Sequence, residues 1–137
     1  MNPDLLSVLI GTNDVNRGIQ PEAFESDYRH VLDASRKASP GLKLVLLDPF
    51  VLQSGRLKDD KEWTSRRAAT DKLGVVVAKL AKDYNAVHVK TQSIFDIAAR
   101  AVSPEQWIWD GVHPLPQGHE LIARNWLQEV SARWPNA

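Results

Sequence analysis

The chain has no cysteine, which excludes disulfide bridges and thiolate metal sites while leaving the redox character of its compartment open. It carries no excess charge of either sign, since Lys+Arg and Asp+Glu both number 17. Nucleic acids and acidic membranes are bound by clustered positive charge, and the Arg66-Arg67 pair reads as a solvated helix face rather than such a cluster. No apolar run approaches the roughly 18 residues of a membrane span, and Met1-Asn2-Pro3-Asp4 lacks the basic start of a signal peptide. Repeats and low-complexity segments are absent. So is the metal-binding pattern of two histidines four apart on a helix with a third acidic ligand, because His113 and His119 are separated by Pro114 and Pro116. No cofactor, metal, nucleic-acid or membrane partner is expected, and the cytoplasm is the expected location.

What is present suits one domain. At 137 residues the chain falls in the commonest domain range of roughly 100–150 residues and can bury about two-thirds of its unfolded surface, so a single domain over 1–137 is expected. Leu5–Ile10, Leu44–Leu47 and Ala86–Val89 are short and apolar throughout, or nearly so, as in strands buried on both faces. Between them the periodicity is helical. Pro21 suits a first helical position, and Phe24, Tyr28, Val31, Leu32 and Ser35 form one stripe before Pro40-Gly41. Ala69, Leu73, Val76, Val77, Leu80 and Tyr84 form another, with Thr64 or Ser65 as cap. Thr91 is expected to cap a short helix carrying Ile94, Phe95 and Ala98, and a final helix from near Pro116 should bury Ile122, Ala123, Trp126, Leu127 and Val130.

Strands and helices in alternation predict a parallel sheet with helices on its faces and right-handed crossovers. In such sheets the functional loops follow the strand C-termini. Three segments qualify: Gly11-Thr12-Asn13-Asp14, Asp48-Pro49-Phe50 with the polar rim that runs on to about Glu62, and Trp109-Asp110-Gly111-Val112-His113-Pro114.

The last of these places a carboxylate three residues before an imidazole. A carboxylate on one ring nitrogen fixes the tautomer, so the other nitrogen can take a proton from a hydroxyl. In the first segment Gly11 permits a sharp turn and the Asn13 amide offers two donors to a developing oxyanion. Taken singly, each motif has a plainer reading: an Asx-turn at a strand end for Asn13-Asp14, and a local turn beside a packed imidazole for Asp110 and His113. His30 and His88, on a helix and a strand, carry no site signal.

Together, in this order and on these elements, the Gly11-Thr12-Asn13-Asp14 block and the Asp110-to-His113 block with Gly118-His119 resemble the SGNH hydrolases, also called GDSL esterases and lipases. The resemblance runs from residue 3 to about residue 134. It implies a flavodoxin-like, three-layer α/β/α sandwich in which Asn13 donates to the oxyanion, His113 is the base and Asp110 orients it. Gly11 and Asp14 then support the loop, and His119 is structural. The implied substrate is a small-molecule ester with a short acyl or acetyl group.

The family's Gly-Asp-Ser block, which supplies the nucleophile, has no counterpart. Ser7 falls in a strand and Ser26, Ser35 and Ser131 in helices, where a hydroxyl is not presented to a cleft, and Ser54, in the rim loop before Gly55, is the candidate nucleophile although no motif marks it. The chain is accordingly expected to begin at the family's third strand, an N-terminally truncated form. Leu5–Ile10 would then be a bare apolar edge, inviting a homodimer that could carry Ser54 across to His113. The alternative to a hydrolase is a non-catalytic domain that binds a ligand or dimerises.

Overall fold

The computed structural model describes residues 3–59 and 61–135. Three parallel strands, β1 (Leu5–Leu9), β2 (Lys43–Leu47) and β3 (Val87–Val89), stand side by side in the order β1-β2-β3. Leu6 of β1 is level with Leu44, and Leu46 is level with His88 of β3. Five helices connect or follow them: α1 (Thr12–Asn16), α2 (Pro21–Ala38), α3 (Trp63–Asp83), α4 (Thr91–Ala101) and α5 (Pro116–Arg133).

Alternation along β2 divides the apolar residues into two cores. Leu44 and Leu46 point to one face, where Phe24, Tyr28 and Leu32 of α2 and Leu73, Val77 and Leu80 of α3 close over them. Val45 and Leu47 point to the other with Val87 and Val89, under Ile94 of α4 and Ile122, Trp126 and Val130 of α5. The molecule is thus a three-layer α/β/α sandwich on a short parallel sheet, as expected. Leu32, Leu44, Leu46 and Leu80 are fully buried, and each contributes about 1.5–3 kcal/mol by leaving water.

The expectation from the apolar run that β1 is buried on both faces is not met, whereas the expectation from the resemblance that it is an exposed apolar edge is. It lies at the sheet edge, so Leu5, Leu6 and Val8 are half-buried, while Leu9 and Ile10 are 43% and 41% exposed. Two helix stripes are also narrower than their spacing suggests. Val31 of α2 and Leu127 of α5 face solvent, because a single sheet covers only the central part of each helix face. Thr91 is the first residue of α4 rather than its cap, and its hydroxyl donates to the Val89 carbonyl oxygen at 3.2 Å. The helix α3 starts at Trp63, one or two residues before the expected caps. Among the described residues no helix is long and apolar enough to cross a membrane.

Candidate functional site

The strand β1 ends at Leu9, and the chain reverses at Gly11, whose φ of 123° belongs to the left-handed half of the map and whose missing Cβ would lie 2.9 Å from Pro49 Cβ. Only glycine meets both conditions without strain. The Gly11 carbonyl accepts the Val15 amide at 2.9 Å, so Thr12-Asn13-Asp14 is one turn of helix, not the expected loop. Asn13 is exposed and Asp14 half-buried within it. The Asp14 carbonyl accepts the amides of Arg17 and Ile19.

Asp110 and His113 sit on a turn closed at its base by a bridge between Ile108 and Pro114, with the Leu115 amide donating to Trp107 O at 2.9 Å. Asp110 is 4% exposed. Its Oδ1 accepts the backbone amides of Val112 and His113 at 3.0 and 2.8 Å, and its Oδ2 lies 2.7 Å from His113 Nδ1. Burial opposes ionisation of this carboxyl, but the hydrogen bonds from the His113 side chain and from the two backbone amides together outweigh it and hold Asp110 below its ordinary value. An ionised carboxylate only accepts, so Nδ1 carries the proton of a neutral ring and Nε2 is left with its lone pair. The imidazole lies alongside Trp109, ring centroids 6.4 Å apart and planes 25° from parallel, and its side chain is 68% exposed.

His113 and Asn13 line the same cleft, of about 370 Å³. Leu9, Phe50 and Ile122 form its apolar side, and Asn16, Arg56 and His119 add polar groups. Sequence reasoning missed Arg56, which no motif marks, and assigned His119 a structural place although it borders the cleft. It also passed over a second carboxylate–imidazole pair, in which His88 Nε2 lies 2.6 Å from Asp48 Oδ1 beside a separate hollow near Arg67 and Asp96. The signal for that pair is the strand register, which aligns Leu46 with His88.

Ser54 is not available as a nucleophile. It has no exposed surface, and its Oγ donates to the Ile108 carbonyl at 2.5 Å, so its hydroxyl ties the rim loop to the base of the Asp110 turn. Of the described residues lining the cleft, Thr12 alone bears a hydroxyl. Among the described residues no group of three or more His, Asp or Glu is gathered in the way a metal ion requires.

The chain is 28% identical over 142 residues to an acetylxylan esterase of Geobacillus stearothermophilus, an alignment that covers 96% of this chain and 61% of that one. A multidomain esterase of Ruminococcus flavefaciens is 27% identical over 94% of this chain and 16% of its own length. Among solved structures, a protein assigned as a GDSL-like lipase from Parabacteroides merdae superposes with a TM-score of 0.84 at 31% identity, over 95% of this chain and 61% of that one. The acetylxylan esterase structure gives 0.78 at 28% identity, over 94% and 60%. The chain thus spans less than two-thirds of the length of each of these relatives. Residues 1–121 match the GDSL-like lipase/acylhydrolase family, and the chain belongs to that family.

Proposed function

We propose that the chain is an ester hydrolase for short acyl esters, with His113 as general base, Asp110 as its orienting carboxylate and Asn13 as oxyanion donor. The observation that carries this reading is the 2.7 Å contact between Asp110 Oδ2 and His113 Nδ1, made on a carboxylate whose other oxygen is already held by two amides. With Ser54 committed to Ile108, the attacking group is water. His113 Nε2 takes a proton as the water oxygen bonds to the ester carbon, the oxyanion is met by the Asn13 amide, and collapse breaks the ester bond as the imidazolium returns its proton to the departing alcohol oxygen. The family and the acetylxylan esterase relative support an acetyl or similarly short acyl group. The test is release of p-nitrophenolate from p-nitrophenyl acetate by the purified chain. Hydrolysis no faster than with equimolar free imidazole contradicts the proposal.

That result would favour a second reading, a non-catalytic domain that binds a ligand or dimerises. The cleft lining, with its one hydroxyl at Thr12, is the observation on its side. On either reading we propose a homodimer through Leu5–Ile10, because the outer edge of β1 is unpaired among the described strands and Leu9 and Ile10 lie open beside it. Light scattering decides this: a monomer at micromolar concentration contradicts the dimer, and Val8→Glu should dissociate one.

A further inference from the structure

The cleft at His113 shares part of its lining with a second hollow of about 440 Å³, lined by Asn16, Arg56, Leu57, Arg66 and Val112. Asn16, Arg56 and Val112 border both, so a ligand that spans the two lies against Arg56. Arg56 stands on the short 3-10 turn Gly55–Leu57, and its side chain is 62% exposed. Its Nη2 is 3.6 Å from Asp110 Oδ2, beyond hydrogen-bond range. That oxygen is already engaged by His113 Nδ1, and Asp110 Oδ1 by the two amides. Asp110 therefore biases the position of Arg56 without using up its donors, of which a guanidinium has five.

On the opposite wall, Arg66 of α3 donates through Nη1 to Asn16 Oδ1 at 2.6 Å, which holds this second guanidinium against α1. Arg66 and Asn16 also line a neighbouring hollow with Glu62 and Ser65. Two planar cations thus border the extension of the cleft, in a chain whose net charge is zero. A guanidinium fork fits a carboxylate through two parallel N–H···O bonds.

We propose that this second hollow is a carboxylate subsite, led by Arg56 and assisted by Arg66, and that the esters hydrolysed at His113 bear a carboxylate on the part extending past Arg56, as an acylated sugar acid does. The substrate class rests on the hydrolase reading above, whereas binding of the carboxylate does not. The test is therefore an equilibrium one, using glucuronate and glucose, which share a ring and differ in carboxylate against hydroxymethyl. Titrated into the wild-type chain and followed by two-dimensional NMR, glucuronate should shift the Val112 amide and the Arg56 side-chain signal. Its affinity should be roughly ten-fold above that of glucose, the scale of a charge-assisted hydrogen bond. Arg56→Gln should erase that preference, Arg56→Lys should keep part of it, and added salt should weaken it. Equal affinity for the two sugars, binding of neither, or a glucuronate preference that survives Arg56→Gln overturns the subsite. Any of these results leaves the hydrolase reading standing if p-nitrophenyl acetate is still cleaved.

Discussion

Gly55 packs so closely against Trp109 that a Cβ on it would stand 2.2 Å from the Trp109 carbonyl oxygen and 2.7 Å from Asp110 Cα. Its φ of 51° is also one that glycine adopts most readily. The rim loop and the Asp110 turn are joined at three adjacent points, the others being Ser54 Oγ to Ile108 O and the Leu52 amide to Gly111 O at 3.0 Å. The long polar stretch after β2 is therefore the clamp that sets the height of Asp110.

Gly55→Ala should cost at least about 2 kcal/mol, because the turn must shift to admit the methyl group and the backbone is strained as well. Ser54→Ala should cost about 1–3 kcal/mol by leaving a buried carbonyl unpartnered. Urea unfolding measures both. Hydrolysis by Ser54→Ala should remain in proportion to the folded fraction; complete loss of activity in a folded Ser54→Ala chain would return Ser54 to the role of nucleophile.

Asp110 also makes stability depend on pH. Its folded value is lowered, so the stability it contributes is fully present above the ordinary carboxylate value of about 3.9 and is lost as pH falls through the lower folded value. Asp110→Asn should accordingly be less stable than wild type at neutral pH, and the gap should narrow as the pH is taken below about 4. Urea midpoints at several pH values provide the measurement, and a gap constant with pH would contradict it.

Tyr28 is 1% exposed, and its hydroxyl finds no hydrogen-bond partner among the described residues. Burial, with the nearby Asp48 charge, pushes this phenol well above its ordinary value. Tyr28→Phe should therefore keep the edge-on packing with Phe24, centroids 5.5 Å apart, and change stability by no more than about 1 kcal/mol, toward greater stability. Thermal unfolding checks it, and a loss of more than that would mean the hydroxyl is paired in solution.

Asn13→Ala should lower kcat by a factor corresponding to roughly 2.7–4 kcal/mol with little change in KM, because an oxyanion donor acts on charge that exists only in the transition state. Steady-state kinetics on p-nitrophenyl acetate separates the two constants. A change confined to KM would contradict the role.

The parts of this molecule that were legible in the sequence are those whose partners are close along the chain. Asp110 and His113 are three residues apart, and a turn that short brings carboxylate and imidazole together with little help from elsewhere. The stripe of Phe24, Tyr28 and Leu32 likewise follows from helical spacing alone. What stayed hidden depends on register and on packing between distant segments. His88 meets Asp48 only because β3 lies beside β2, and Ser54 is buried only because the rim loop folds onto Ile108. Neither fact leaves a local trace, so a loop serine with no motif of its own stood as the candidate nucleophile. The edge position of Leu5–Ile10 was legible only through the family resemblance, since an apolar run by itself reads the same at an edge as in the middle of a sheet.

The pairing of His113 with Asp110 as base and orienting group is tested most directly by kcat/KM for p-nitrophenyl acetate in wild type, His113→Ala and Asp110→Asn, each shown to be folded. Loss of a general base removes about 10²–10⁴-fold, so His113→Ala should fall by at least about a hundred-fold, and Asp110→Asn should fall by less. A folded His113→Ala chain that hydrolyses the ester at the wild-type rate would contradict the assignment.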